Sequence, residues 1–260
     1  MSNDRFLDEA LAVAREAADA AARVIAPYWR GGVAVEHKAD ATPVTQADRE
    51  AELAIKAVIR GAFPAHGFFG EEFGTERGDG RHLWLVDPID GTKSFVRRNP
   101  FFSTQVALVR DGQLVLGVSS APHFGETAWA RVGGGAWLGG ERMACAGTAR
   151  IADAAISFGN VKTLARDANR WAAVAGVVRD ANRTRGYGDF YHYHLLARGS
   201  IDAVVESDVN ILDIAPLVVV LREAGAVFTD LEGRAPGLET TSVLAATPAL
   251  HGELLERLRS

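Results

Sequence analysis

Near the N-terminus apolar residues return every three or four positions, at Leu7, Leu11, Ala14, Ala18, Ala21, Ile25 and Tyr28. That spacing predicts one long amphipathic helix over residues 5–29, stopped by Gly31 and Gly32. A second helix is expected from about Gln46 to Phe63, with Thr45 and Asp48 spaced as a capping box and with Gly61 and Pro64 closing it. From Gly67 to Val132 the pattern changes to short apolar runs parted by turn residues: HGFFGEE, HLWLVD, FFSTQVALVRDG, QLVLGVSSAP and GETAWARVG. These read as strands, with Asp111–Gly112 as a hairpin turn between two of them. Beyond Cys145, AAISFG, a helical stretch around Trp171 to Val178, TRGYG, YHYHLLARG, IDAVVES, the helix ILDIAPLVVVLREAG, AVFTD, SVLAAT and a C-terminal helix alternate. Strand and helix in turn predict an α/β layer. The expected architecture is an α+β part over residues 1–145 and an α/β part over 146–260, joined near 143–150 into one compact catalytic unit.

Composition narrows the chemistry. With 48% hydrophobic and 23% charged residues in 260, the chain has the material for a soluble globular core. Its net charge of −5 and the lack of a long basic run argue against nucleic acid or an anionic membrane as partner. A small phosphorylated metabolite stays open, because bound cations can supply the missing positive charge. Cys145 is the one cysteine, which excludes an intrachain disulfide and a thiolate zinc site and fits a reducing, cytoplasmic setting. No apolar run reaches the roughly 18–20 residues a bilayer demands, and the acidic and basic residues near the start do not form a signal peptide.

Four carboxylate-bearing pieces stand out. GEE (70–72) and DPIDGT (87–92) each follow an apolar strand, while VTQAD (44–48) and ILD (211–213) each open a helix. Hard divalent cations such as Mg²⁺ take oxygen ligands, and Asp87, the Ile89 carbonyl and Asp90 offer them at a strand end. Pro88 stiffens Asp87, and Gly91 with Thr92 can turn amide groups toward an anion. Each piece also has a purely structural explanation. Asp48 and Asp213 can cap their own helices, the latter with Pro216 in the first turn; Asp90–Gly91 can be an ordinary turn; Glu71 and Glu72 can be a solvated pair.

GEEFG (70–74), WLVDPIDGTKSF (84–95) and LDIAPLVVVLREAG (212–225) together resemble the inositol monophosphatase superfamily of Mg²⁺-dependent, lithium-sensitive phosphatases, over essentially the whole chain. The resemblance implies an αβαβα layered sandwich, a homodimer and two or three Mg²⁺ ions per site. It assigns Glu71, Asp87 and the Ile89 carbonyl to a first metal and Asp87, Asp90 and Asp213 to a second. Thr92 with Asp48 would orient the attacking water, with Glu71 in the same catalytic group, and the Gly91 and Thr92 amides would receive the phosphate. Two departures from the family pattern, Leu212 in place of Trp and Ala226 in place of Gly, leave every ligand in place.

RGYGDFYHYHLLARG (185–199) and HKADATPVTQAD (37–48) are similar to the branch that hydrolyses histidinol phosphate; an inositol-1-phosphatase, a broad sugar or nucleotide phosphatase, or a catalytically silent homologue are the alternatives. The similarity implies that Asp189 and Glu206 bind the amino-imidazole end of the substrate, with Arg185 nearby. Against this, Asp189 can be the N-cap of a helix starting at Phe190, Arg185 a surface ion pair, and Lys38 either a solvated lysine or a visitor to the phosphate region. His192 and His194, two apart on a helix, point in different directions and so do not form a zinc site. Phe101, Phe102, Trp129 and Trp137 are expected in the core or a dimer interface.

Overall fold

In the computed structural model, which describes residues 3–31, 35–37 and 43–259, the N-terminal stripe forms helix α1 (Asn3–Gly31), slightly longer than its periodicity predicts. A ribbon of β1 (Val35–His37) and β2 (Pro43–Thr45) leads into α2 (Gln46–Ala62). Next come β3 (Gly67–Gly70), β4 (Gly74–Glu76), β5 (His82–Asp90), the short α3 (Thr92–Val96), β6 (Ser103–Arg110), β7 (Gln113–Ala121), β8 (Glu126–Arg131), β9 (Gly135–Leu138) and β10 (Glu141–Met143). These eight strands form one sheet in the order β10-β9-β8-β7-β6-β5-β3-β4. All neighbours are antiparallel except β3 and β5. Asp111 and Gly112, both with positive φ (49° and 77°), make the two-residue β6–β7 hairpin.

The second part runs β11 (Ala155–Phe158), α4 (Ala168–Asp180), β12 (Arg183–Arg185), α5 (Asp189–Ala197), β13 (Ala203–Ser207), α6 (Ile211–Glu223), β14 (Val227–Thr229), β15 (Ser242–Ala246) and α7 (Pro248–Leu258). Its five strands pair in the order β12-β11-β13-β15-β14. Side-chain alternation along the strands divides the core into layers. Trp84 and Val86 of β5 pack under α1 and α2, whereas Leu85 between them faces α5 and α6. Val204 of β13 faces that same middle layer, while Ala203 and Val205 turn to α4 and α7. The result is an αβαβα sandwich.

The middle helix α6 is buried on almost every side, so its neighbours must approach closely. A Cβ at Gly117 of β7 would lie 2.4 Å from Pro216 Cα, so glycine is the residue that lets strand and helix touch. Pro216 itself sits in the second turn rather than the first, because the helix begins at Ile211 under an Asn210 cap. Among the described residues no helix is long and apolar enough to cross a membrane.

One buried contact makes stability depend on pH. Trp84 Nε1 donates to His66 Nδ1 (3.1 Å), and the His66 ring stacks on Phe63 and His82. Burial, then the neighbouring His82, pushes the His66 pKa down to about 4. Because an unfolded histidine titrates near ~6.5, His66 contributes stability above that pH that is lost as pH falls toward 4. His66→Phe should lower the melting temperature at pH 7.5, by leaving the Trp84 donor unpaired, and the gap to the wild type should narrow at pH 5. A gap that stays constant in thermal melts across that range would show that His66 does not carry the acid sensitivity.

Candidate active site

The site begins where β5 stops being regular. Its pairing with β6 runs to Asp87 opposite Gln105, then slips, and resumes with Asp90 opposite Ser103. Such a bulge re-aims side chains, and here Pro88 and Ile89 occupy it, leaving aspartates on both sides of the irregularity. Ile89 N donates to Asp87 Oδ1 (2.9 Å), and Thr104 Oγ1 donates to the Pro88 carbonyl (2.8 Å). Gly91 then turns the chain with φ +88°, in a space where a Cβ would stand 2.6 Å from the Phe101 carbonyl oxygen. Only glycine fits on both counts.

The third aspartate arrives from the other half of the chain. At the start of α6, Asp213 accepts from Asn210 N (2.8 Å) and Asn210 Nδ2 (2.7 Å), closing a capping box. The same side chain converges on β5, where ligand oxygens of Asp87, Asp90 and Asp213 all lie within 4.8 Å of one another. Capping and convergence are therefore both true of Asp213. Burial, reinforced by neighbouring carboxylates, raises Asp87 and Asp90 well above the ordinary aspartate range and Asp213 to about 7. Glu71 and Asp90 act on Asp87, Asp213 and Asp189 on Asp90, and Glu71 and Glu206 on Asp213. Anions crowded this way take up either protons or a cation, and an all-oxygen donor set suits a hard divalent ion.

Around this cluster the remaining expected residues assemble. Glu71 lies in the β3–β4 turn, its amide bonded to the Val86 carbonyl (3.2 Å) and its side chain hydrogen-bonded to Asp87. Asp48 is fully buried; it accepts from Thr45 N (2.8 Å) and from Thr45 Oγ1 (2.5 Å), as its capping position requires. Its other oxygen takes a long hydrogen bond from Thr92 Oγ1 (3.3 Å), which also donates to the Ile89 carbonyl (3.0 Å). Burial, only partly offset by the Thr45 bonds, raises the Asp48 pKa. Lys38 lies outside the described residues.

Glu52 went unnoticed in the sequence. It is fully buried on α2 and accepts from Glu72 N (2.7 Å) and Phe73 N (3.2 Å), clamping the turn that presents Glu71. A Cβ at Gly70 would stand 2.0 Å from Glu52 Oε1, so that glycine makes room for the clamp. Glu52 at an inward position of α2 was the available signal, since glutamate is almost never fully buried without partners.

Beside the aspartates lies a cavity of about 100 Å³ lined by Asp90, Asp213, Asn160, Asp189, Tyr193 and Glu206. Asp189 does not cap its helix: α5 starts on it, the cap position falls to Gly188, and Asp189 adopts φ 47°, a strained left-handed conformation for a non-glycine. Burial, then Glu206, raises its pKa to about 6. Glu206 is held from three directions, by Tyr193 OH (2.5 Å), His192 Nε2 (3.1 Å) and Asn160 N (3.2 Å). Burial alone would raise it, but these partners outweigh burial and keep it below the usual glutamate range. A Cβ at Gly159 would collide with Glu206 Oε1 at 2.1 Å, a second glycine cradle for a buried carboxylate. Arg185 does not line this cavity; its side chain is exposed on the edge strand β12 and donates to the Thr184 carbonyl (2.7 Å).

The two histidines diverge as their spacing predicts. His192 runs between Ser157 (3.2 Å) and Glu206, whereas His194 runs between Ser119 (2.9 Å) and Glu126 (3.1 Å). A second cluster of metal-capable groups, His66, Asp79 and His82, holds its imidazoles nearly parallel (13°) at 4.3 Å, so their in-plane lone pairs do not converge. Phe102 is core; Phe101 is half-buried against Phe124 and Tyr191, and Trp129 lies under the Arg15 guanidinium. The half-buried Trp137 donates to the Gly134 carbonyl (3.0 Å).

Comparison with known proteins gives the same picture. The model of the "Inositol monophosphatase family" matches residues 7–260. A histidinol-phosphatase of Mycobacterium tuberculosis is 38% identical over 87% of this chain and 88% of its own length. One from Streptomyces coelicolor is 35% identical over 96% of each. Among solved structures, the extragenic suppressor protein suhB from Bartonella henselae superposes with a TM-score of 0.89 at 29% identity, covering 97% of this chain and 99% of that one.

The crowding of carboxylates makes a prediction about the cation-free protein. Because the folded pKa of Asp213 is raised to about 7, its contribution to stability is present below the normal aspartate range and lost as pH rises through 7. Adding a divalent cation should therefore raise the melting temperature more at pH 8 than at pH 6. Asp213→Asn should raise the cation-free value at pH 8 and shrink the cation-induced increase. An undiminished cation response in that variant would remove Asp213 from the ligand set.

Proposed function

We propose a substrate and a mechanism for a chain that belongs to the inositol monophosphatase family and is, with that family, a phosphoric monoester hydrolase: it hydrolyses L-histidinol phosphate to L-histidinol and phosphate, as a step of histidine biosynthesis. The observation that carries the substrate is the cavity where Asp189 and Glu206 stand beside the Asp90–Asp213 cluster. An ester anchored by its phosphate at the aspartates has its alcohol end against two carboxylates. An ammonium and an imidazole pair with carboxylates better than a neutral polyol does.

In this reading Glu71, Asp87 and the Ile89 carbonyl would hold one Mg²⁺ and Asp87, Asp90 and Asp213 another, the family resemblance implying two or three ions in all. Bound there, the ions neutralise phosphoryl charge and acidify the attacking water. The chain's own part is positioning. Thr92 Oγ1, fixed between Asp48 and the Ile89 carbonyl, orients the water in line with the leaving oxygen. Asp48, made a stronger base by burial, receives the proton. The Gly91 and Thr92 amides accept the phosphate where the chain turns into α3. Family membership extends the proposal to lithium sensitivity, a homodimer and a cytoplasmic setting.

Phosphate release from L-histidinol phosphate should exceed that from inositol-1-phosphate under equal Mg²⁺. Asp87→Asn should cost at least ~10²-fold in kcat, the scale of losing one group that stabilises the transition state. Asp189→Ala should raise KM for histidinol phosphate more than it lowers kcat; unchanged constants would withdraw Asp189 from the substrate site. Equal or better turnover of inositol-1-phosphate would retain the hydrolase and reject the substrate.

Glu206 is aimed by its neighbours, so they should share its role at one remove. Tyr193→Phe and His192→Asn should raise KM for histidinol phosphate while leaving kinetics on glycerol-2-phosphate, which has no cationic end, near wild type. Equal losses on both esters would mean that the two residues serve folding rather than substrate choice.

A further inference from the structure

Helix α6 packs over β5 to β9 of the large sheet and leaves the inner face of the β3–β4–β5 end open. A cavity of about 660 Å³ lies there, far larger than the one beside the aspartates. Leu83, Leu85, Val109 and Leu114 form its sheet wall, Ile211 of α6 a side, and Leu238, 63% exposed, its outer lip. That size and apolar lining match sites for small molecules.

Among the charged lining groups guanidiniums predominate. Arg77, Arg81 and Arg222 line the cavity, together with His82. The one carboxylate among the lining residues, Glu76, is already held by Lys56 and by Arg60. Arg81 is engaged by Asp111 (2.9 Å), but among the described residues no carboxylate pairs with Arg77 or Arg222. A chain of net charge −5 thus collects two guanidinium groups with no paired carboxylate, those of Arg77 and Arg222, around this apolar hollow. Arginine presents a planar fork of donors that matches a carboxylate or sulfonate, and the leucine wall holds only a ligand with a flat hydrocarbon body, which inorganic phosphate lacks.

We infer that this cavity is a second binding site, separate from the phosphatase centre, for a small organic anion with an apolar body. Its one lining carboxylate, Glu76, is already paired, so the cavity offers no partner for the ammonium and imidazole of the ester proposed for the catalytic cavity.

The probe is 8-anilinonaphthalene-1-sulfonate, titrated by fluorescence into the intact protein with Mg²⁺ present. One saturable equivalent per chain is expected, weakened at least tenfold by Arg222→Glu and by Leu114→Trp, which reverses a charge or fills the hollow. Inorganic phosphate should not displace the probe, and both variants should keep wild-type phosphate release, which shows that they are folded. Displacement by phosphate would place the probe in the catalytic centre and overturn the inference. So would affinity unchanged in both variants, or absence of saturable binding. If instead the variants shift the sedimentation of the protein and the wild type binds no probe, a second copy of the chain covers the face and the inference fails.

Discussion

Everything around the active site answers to the cost of holding Asp87, Asp90 and Asp213 with oxygens within 4.8 Å of one another in a buried place. Two full charges at that separation repel by about 3–4 kcal/mol at an effective dielectric near 20, so three ionised carboxylates do not gather unaided. The fold fixes each by a different device: a bulge in β5 for Asp87 and Asp90, and a capping box at the head of α6 for Asp213. Protons or a bound cation would relieve that repulsion, and the raised pKa of each of the three carboxylates expresses it.

The same logic recurs one step outward. Glu52 and Glu206 are buried carboxylates, Glu52 satisfied by backbone amides and Glu206 by a backbone amide, a tyrosine hydroxyl and an imidazole, neither by a lysine or arginine. Each lies against a glycine, Gly70 or Gly159, whose missing Cβ leaves space for the carboxylate. Glu52 spends its charge on holding the Glu71 turn, while Glu206 keeps its charge facing the cavity where an ester's alcohol end would lie. The layered architecture makes this possible by bringing β5 from one half of the chain and α5, β13 and α6 from the other to a single seam.

Much of this was legible in the residues. Periodicity located α1, the Thr45–Asp48 capping box with Gly61 and Pro64 bounded α2, the Asp111–Gly112 dipeptide marked the hairpin, and alternating patterns gave the strands and helices after Cys145. WLVDPIDGT marked where the carboxylates would gather, because a proline between two aspartates at a strand end holds their oxygens with little freedom to lose. The divergence of His192 and His194 followed from helix geometry. Where the sequence was ambiguous, the ambiguity was physical: Asp48 and Asp213 read as caps or as site residues, and in the folded chain each carboxylate, having two oxygens, does the capping while facing the site.

What the sequence could not decide depends on which distant segments meet. Spacing along α2 places Glu52 on its inward face, but the backbone amides that satisfy its carboxylate come from the turn after β3, a segment distant in sequence. Asp189 sits beside a helix start either way, and only the left-handed backbone at that residue turns it from a cap into a wall of the cavity. Arg185, adjacent in sequence, is carried outward by the edge strand β12. The apolar hollow ringed by arginines is made by four separated stretches. The sequence by itself determined the elements and marked the candidate ligand carboxylates, because those rest on spacing within a few residues. Tertiary structure decided which charges are buried together, because burial is a property of contacts between segments far apart in the chain.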